Sequence, residues 1–499
     1  MNPAAGTHAE RQACQITSGE LAAEAGRLFA GGYRLAAVAA HDDQQTLRVV
    51  YVFCAGPPDR RAELELQLDP ARPVIPSLAH LSFPASRFER EMRDLFGIVP
   101  EGHPFPRRLV LHQHWPQGWH PMRHQAGPPP PMQADAEPFP FVRVEGPGVY
   151  EIPVGPVHAG LIEPGHFRFS VVGETILKMK ARLWFVHRGV ERLFQGQDPQ
   201  AAVRLAECVS GDTAIAHSLA YCLAVEDACQ IPVPPEAARL RALLLELERL
   251  YNHVSDIGAL CNDVGFGLAQ ARALTLRERL LRLNAEITGH RLLRGAIQPG
   301  RTCVQRLPTP AELGEIRQRF DDIAALATSN TIVMDRFRGT AVLSAQDAAG
   351  IGTLGVVARA SGLTLDARIA HPFTDLGSGF RPAQQAGGDV MARFTVRTDE
   401  VRTSLGLISE LAGQAGALSA TAPPVPHHGG SGLGIVEGWR GSTVHRVEVD
   451  RSGTLSRCKI VDPSFLNWPA LSVALTDTIV PDFPLANKSF NLSYAGNDL

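Results

Sequence analysis

Ser210-Gly211-Asp212-Thr213, followed by His217 and Ser218, brings hydroxyls, a carboxylate and an imidazole into one short stretch. Neutral hydroxyls lack the charge and polarisability of a soft thiolate ligand. A second group lies at Ser493, Gly496 and Asp498, and a third in the stretch from Gly155 to Arg168, which holds His158, Glu163 and His166. Imidazole titrates closest to neutral pH, so His158 and His166 are candidate proton donors. On residue type alone a histidine bracketed by prolines and glycines is first a turn residue.

The elements that must position these groups can be read from pattern. Asp212 and Thr213 can cap a helix, and Ile215, Leu219, Cys222 and Leu223 recur at helical spacing, so one face of that helix is expected to be buried. Two longer stripes, Leu240 to Ile257 within a helix from Pro235 to about Cys261 and Leu276 to Ile287, predict a bundle. Segments 313–326 and 401–412 join it with weaker patterns. Asn252 and His253 stand where a helix favours Ala or Leu, which predicts a polar network inside the bundle. His187, Arg188 and Glu191 are expected on one side of a helix through 184–193.

The first part of the chain is β-rich, with runs at 34–40, 46–53 and 62–68. A helix over 85–95 should bury Phe88, Met92 and Leu95 and turn Glu89, Glu91 and Arg93 away. Residues 167–172 and 174–179 predict a hairpin about Gly173. The proline-rich stretch 126–138 is expected to be extended. The predicted class is therefore α+β: a small mixed domain over 1–125, a linker over 126–145, and a helical-bundle domain with peripheral strands over 146–499.

The chain has 499 residues, 44% apolar and 20% charged, with a formal net charge of −3. No basic excess points to nucleic acid. No apolar run approaches the ~20 residues that cross a bilayer, and residues 1–8 lack a basic-then-apolar signal pattern. The expected location is cytoplasmic, with any membrane association made through partners. The eight cysteines (Cys14, Cys54, Cys208, Cys222, Cys229, Cys261, Cys303 and Cys458) contain no C-x-x-C pair, so buried inert thiols are expected rather than a cluster site. His103, His112, His114, His120 and His124 lack supporting carboxylates or thiols and, with Trp115 and Trp119, read as an interface.

Glu89-Arg90-Glu91, Asp94-Leu-Phe-Gly-Ile98, Gly102-His-Pro104 and Arg107-Arg108 resemble the small hydrophilic subunit of respiratory complex I and the matching domain of formate-hydrogenlyase-type hydrogenases. From residue 150 onward the chain resembles the large subunit of energy-converting NiFe hydrogenases and of complex I. The resemblance is carried by Glu163-Pro-Gly-His-Phe-Arg168, His187-Arg-Gly-Val-Glu191, Ala216-His-Ser218, Glu246-Leu-Glu-Arg-Leu-Tyr-Asn-His253, Asp335-Arg-Phe-Arg-Gly339 and Glu437-Gly-Trp-Arg-Gly441. The whole looks like a fused small-plus-large subunit of the C/D type, similar to hydrogenase-4 component G. Where the hydrogenases have four cysteines, this chain has Ser210, Thr213, Ser493 and Gly496, with Asn491 in place of an aspartate. Asp462-Pro-Ser464, a competing match to the terminal motif, offers no better ligand.

The resemblance implies a subunit of an oxidoreductase complex of the NADH-quinone oxidoreductase or hydrogenase-4 type. It would pass electrons from a partner's iron–sulfur cluster to a quinone or similar acceptor, coupled to ion movement. His158, His166, Asp212, His217 and Asp498 are the implied catalytic candidates. Glu163, Arg168, Ser210, Thr213, Arg440 and Ser493 are the implied contacts to a cofactor or acceptor. No metal and no tightly bound cofactor are expected in this chain. Expected partners are a cluster-bearing small subunit, other hydrophilic-arm subunits and antiporter-like membrane subunits, with the assembly on the inner face of the cell membrane. A non-catalytic scaffold is the alternative, and an active hydrogenase would need ligands other than these four positions. The Ser210–Thr213 and Ser493–Gly496 segments are expected to converge on an open polar pocket with Asp212, His217 and Asp498 in its wall, and His158, His166 and Arg440 beside it.

Overall fold

The computed structural model describes residues 11–134, 136–158, 162–423 and 429–499. Strand β1 (Arg11–Gln15), helix α1 (Leu21–Ala30) and strands β2 (Arg34–Asp42), β3 (Leu47–Ala55) and β4 (Arg60–Leu68) open the chain. The sheet order is β1-β4-β3-β2, antiparallel except for β1, which has no counterpart among the strands expected from the sequence and runs parallel to β4. Strand β5 (Val74–Pro76), helix α2 (Phe83–Phe96) and strand β6 (Val99–Glu101) follow. Helix α2 corrects one expectation, since Glu89 and Glu91 are buried. Glu89 accepts from Ser77 Oγ and the Leu78 N–H, both at 2.6 Å, and Glu91 accepts from Lys459 Nζ at 2.8 Å. A pattern seen along one helix cannot reveal a second packing surface that arrives from residue 459.

Between 126 and 148 the described residues form no helix or strand. Strands β7 (Val149–Val154), β8 (His166–Val172) and β9 (Thr175–Arg182) then make an antiparallel meander. Of the helix expected over 184–193, only α3 (Val190–Leu193) forms. His187 and Arg188 precede it outside any helix, and the left-handed Gly189, at φ +66°, separates them from its first turn.

The bundle is built from α4 (Val203–Ala206), α5 (Ala214–Cys229), α6 (Pro235–Asp263), α7 (Gly267–Thr288), strands β10 (Ile297–Gln298) and β11 (Arg301–Cys303), and α8 (Pro310–Ser329). Four short helices follow, α9 (Thr331–Phe337), α10 (Ala345–Ile351), α11 (Gly355–Ala360) and α12 (Ala367–Ala370), and then the long α13 (Val390–Gln414). Strand β12 (Ser419–Thr421) pairs with β11. Strands β13 (Gly430–Gly438), β14 (Gly441–Val449) and β15 (Leu455–Val461) form an antiparallel sheet. Helices α14 (Pro463–Ala474), α15 (Phe483–Phe490) and α16 (Tyr494–Asp498) end the described chain. This is the expected α+β class.

One apolar core joins α5, α6, α7, α8 and α13. A second runs continuously from Val49 and Phe53 of the first sheet through Phe167 and Phe169 to Leu433, Val461 and Phe465. Buried ion pairs cross the same boundary, with Arg446 on Glu63 at 3.0 Å and Lys459 on Glu91 at 2.8 Å.

Helix α5 was expected to bury one face, yet every residue but Leu223 and Asp227 is buried. The reason lies in β13, where glycines let the sheet backbone lie directly on the helix backbone. A Cβ at Gly434 would stand 1.9 Å from the Ala220 carbonyl oxygen, and one at Gly432 1.9 Å from that of Ala224. No side-chain rotation relieves a clash with backbone. Gly434→Ala is therefore expected to destabilise the chain by roughly 3 kcal/mol, read as a lower denaturation midpoint. A loss below ~0.5 kcal/mol, the scale of an ordinary surface change, would show that α5 and β13 are not in this contact.

Candidate functional site

The turn before α5 and the turn before α16 meet despite their separation in sequence. Ser210 Oγ and Ser493 Oγ are 2.9 Å apart. Ser210 Oγ donates to Asp212 Oδ1 at 3.0 Å, and Ser493 Oγ accepts the Gly496 N–H at 2.9 Å. With those roles taken, Ser493 donates to Ser210. Thr213 Oγ1 donates to Asp212 Oδ1 at 3.0 Å and accepts from Arg440 Nη1 at 3.0 Å and Trp439 Nε1 at 3.2 Å.

Arg440 organises the group. Its guanidinium pairs with both Asp212 oxygens at 2.6 and 2.7 Å, and its Nε donates to the Asn491 carbonyl at 2.6 Å. It also lies 3.9 Å from the centroid of the Trp439 ring. The Asp212 side chain is 40% exposed. Burial pushes its carboxyl up, but Arg440 outweighs that and holds its pKa at about 2. The Asp212 carbonyl accepts from Asn252 at 2.8 Å, Trp439 at 3.0 Å and Tyr251 at 3.2 Å. That is part of the polar network that Asn252 implied; His253 bonds Glu400 at 2.6 Å.

The cap of α5 differs from expectation. Thr213 is the N-cap residue but makes no capping bond. Glu248 of α6 takes that role, accepting the N–H groups of Ile215 at 2.6 Å and Ala216 at 3.1 Å. Burial drives the Glu248 carboxyl up to about 8 against the pull of those two donors.

The open polar pocket expected here is closed. Ser210, Thr213, Ser493 and Arg440 are buried, and His217 is fully so. His217 turns away from Ser210 to donate from Nε2 to Asp462 Oδ2 at 3.0 Å, while its Nδ1 meets His445 Nε2 at 3.0 Å. Asp498 also faces elsewhere. Its Oδ2 accepts the Val186 N–H at 3.1 Å, and burial raises its pKa to about 6. It lines a small cleft with His187, Glu91 and Glu191.

His158 and His166 close their own loop, bonding the carbonyls of Gly165 at 2.8 Å and Gly155 at 3.1 Å. Of that loop, Glu163 reaches the tail, accepting the Ala495 N–H at 3.3 Å. Gly165 lies against Tyr494, whose ring a Cβ there would meet at 2.7 Å. Arg168 pairs with Glu151 at 3.4 Å on the β7–β8 surface and stacks on Phe141. Residues 159–161 of this loop lie outside the described residues.

Sequence reasoning missed His445 and Glu248, and it set Asp462 aside as part of a competing match to the terminal motif. Asp462-Pro-Ser464 is a legible helix start, and Asp462 Oδ1 does accept the Ser464 N–H at 2.7 Å. His445 and Glu248 gave no local signal, because their partners come from other elements.

A nickel–iron centre does not fit these residues. Ser210, Thr213 and Ser493 offer neutral hydroxyls already committed to hydrogen bonds, and Gly496 offers none. A Cβ at Gly496 would stand 2.5 Å from the Asp462 carboxylate, so any side chain there would have to displace Asp462. Among the described residues no group of three or more His, Cys, Asp or Glu side chains is arranged to hold a metal ion.

The fold and this site define a large-subunit scaffold of the hydrogenase and complex I class. Residues 15–130 match the respiratory-chain NADH dehydrogenase 30 Kd subunit, 263–423 the 49 Kd subunit, and 188–260 the nickel-dependent hydrogenases. Formate hydrogenlyase subunit 5 of Escherichia coli is 32% identical, over 87% of this chain and 79% of that protein. Hydrogenase-4 component G of the same organism is 32% identical, over 82% and 73%. The C/D fusion protein of the NADH-quinone oxidoreductase of Phocaeicola vulgatus is 28% identical, over 68% and 70%. An archaeal membrane-bound sulfane sulfur reductase includes a polypeptide of the same fold, with TM-score 0.63 and 24% identity over 70% of this chain and 99% of that one. The chain belongs to the family of fused hydrogenase-4 and formate hydrogenlyase large subunits, which is related to the C/D fusion proteins of complex I.

Glu248 supplies a pH test of the α5 cap. Its folded-state pKa of about 8 lies above the ordinary 4.5, so the folded chain binds the extra proton. Stability from this group is complete below pH ~4.5 and is lost as pH rises toward ~8, by up to about 1.4 kcal/mol per unit. Glu248→Gln should flatten that slope in chemical denaturation from pH 5 to 8. An unchanged slope would mean that the carboxyl is ionised throughout.

Proposed function

We propose that this chain is a nickel-free large subunit of a membrane-associated, complex I-like oxidoreductase. It receives electrons from an iron–sulfur cluster in a partner subunit and serves their transfer to a quinone or similar acceptor, coupled through membrane partners to ion movement. The relatives named as NADH-quinone oxidoreductase and formate hydrogenlyase subunits support the class of complex. Among the described residues no helix is long and apolar enough to cross a membrane, which fits a peripheral attachment through partners.

The observation that carries the nickel-free reading is the Ser210–Ser493 hydrogen bond, with Asp462 against Gly496, at the positions that the sequence resemblance matches to the hydrogenases' cysteines. Half-exposed Asp212, beside buried Arg440, leaves a charged rim at that position. His158, His166 and Glu163 stand on the adjoining loop as candidate acceptor contacts. The closed hydroxyl site also favours a second reading, a scaffold that keeps the complex assembled without touching substrate.

The complex purified through a tag on this chain is expected to hold no stoichiometric nickel by elemental analysis. Its dithionite-reduced clusters should reoxidise on addition of decylubiquinone. One nickel per chain with hydrogen uptake would overturn the nickel-free reading. Clusters that stay reduced with quinone would leave the scaffold.

A further inference from the structure

Six arginines where the small domain meets the C-terminal tail lie together, and among the described residues none of them pairs with a carboxylate. Arg90 donates to the carbonyls of Arg107 at 2.7 Å and Arg108 at 3.1 Å. Arg93 and Arg107 donate to those of Pro106 and Pro140, and Arg108 to those of Trp115 at 2.7 Å and Pro116 at 2.9 Å. Arg182 donates to the carbonyls of Leu109 and Leu111, and Arg87 to the Asn497 amide oxygen at 3.2 Å. Arg87 and Arg182 both lie against the Trp184 ring, and the buried Nε of each has no partner. Carbonyls and ring faces orient a guanidinium but leave its charge in place.

These charges act on one another. Burial first, and neighbouring guanidiniums after it, pull Arg87 down to about 9 and Arg90 and Arg182 to about 10. The carboxylates that oppose this through space are Asp94, Glu91 and Asp498. Asp94 is committed to the N–H groups of Leu109, Val110 and Leu111, and Glu91 to Lys459, while Asp498 is raised to about 6. The whole chain has a formal net charge of −3, so this positive excess is local. It reaches the surface on one side of α2. There Phe105 is 41% exposed, with Arg107 4.4 Å and Arg90 5.7 Å from its ring centroid, and Arg93 and Arg107 are half-buried. His103 ties this loop to the first turn of α2, donating to the Ser86 carbonyl at 3.2 Å and accepting the Phe105 N–H at 2.9 Å. Phe83 on that turn is 43% exposed.

We propose that the face formed by Arg90, Arg93, Phe105 and Arg107 docks an acidic segment of a partner subunit, with carboxylates on the guanidiniums and an apolar side chain against Phe105. The proposal rests on the reading of this chain as one subunit of a larger complex. Two features select a polypeptide over a nucleic acid or a free phosphate. Arginines set beside exposed aromatic rings are the composition of the energetic centres of protein interfaces. The guanidiniums are also pinned by different carbonyls around one ring, which suits carboxylates spaced along a chain better than a single phosphate. Because they are already oriented, a partner's carboxylates meet them with little further ordering. Charge steering makes this docking strongest at low ionic strength.

The test starts from Phe105→p-benzoylphenylalanine, a photocrosslinking residue, in the complex purified through a tag on this chain. Irradiation is expected to join it to one partner subunit, at a peptide rich in Asp and Glu. A crosslink to a segment without carboxylates, or none within an intact complex, overturns the inference. Arg93→Glu combined with Arg107→Glu should then weaken binding of that subunit about tenfold or more, read as its release at lower salt. Exchange of the crosslinked carboxylates for arginine should restore it, and release at the wild-type salt concentration overturns the inference. Should the double reversal fail to fold, Arg93→Gln with Arg107→Gln keeps an amide donor at each position, removes the charge and takes the same test. A chain that purifies without any partner sinks the complex reading instead. The docking face is then decided on the full chain alone, by anisotropy of a fluorescent hexaglutamate peptide at low salt. The wild type is expected to bind it about tenfold more tightly than the double variant. Equal binding, or tighter binding of a single-stranded hexadeoxynucleotide, overturns the acidic partner.

Discussion

The contact between the backbone of α5 and the backbone of β13 is the constraint on which the rest depends. Glycines at 432 and 434 allow it, and it leaves α5 with almost no solvent-facing side. A helix so enclosed must find partners for its first N–H groups inside the protein. Glu248 supplies them, which fixes the start of the helix and hence the Ser210–Thr213 turn. The same enclosure places His217 between β14 and the start of α14, where His445 and Asp462 meet it.

The bundle around this helix is held by a lattice of buried charge. Glu400 on α13 accepts from His253 at 2.6 Å, Arg359 at 2.5 Å and Arg368 at 3.3 Å. Arg359 continues to Glu437 at 2.7 Å, and Arg368 to Glu246 at 3.1 Å. Such a lattice is not an efficient source of stability, because desolvation of each ion offsets most of the Coulombic gain. Removing one member, however, strands its partners in a dry interior at a cost of several kcal/mol. The arrangement resists piecemeal change and keeps α6, α11, α12, α13 and β13 in one register.

Against that rigid frame, exchange of thiolates for hydroxyls has a local consequence. Thiolates around a metal would be held apart by the ion they bind. Ser210 and Ser493 instead hydrogen-bond across the gap, and Arg440 neutralises Asp212 from within the fold. The segments stay together because the helices behind them do. The turn thus stays closed, with the part-exposed Asp212 carboxylate at its edge.

Much of this was legible in the sequence. The stripes on α6 and α7, the β-rich start, the hairpin about Gly173 and the polar pair Asn252–His253 follow from periodicity and from residues that oppose local propensity. That Ser210, Thr213, Ser493 and Gly496 offer no soft ligand was legible too, because ligand chemistry is a property of residue type alone. What only the tertiary structure decided were contacts whose partners lie far apart in sequence. Glu89 and Glu91 read as solvent-facing until Ser77 and Lys459 meet them. His445 reads as one more strand residue, and Asp462 as part of a spare match to the terminal motif, until His217 arrives between them. The openness of the Ser210–Ser493 site was undecided by residue type as well: Asp462 and Arg440 approach from other elements, and only their positions in space determine whether polar side chains leave a pocket or fill it.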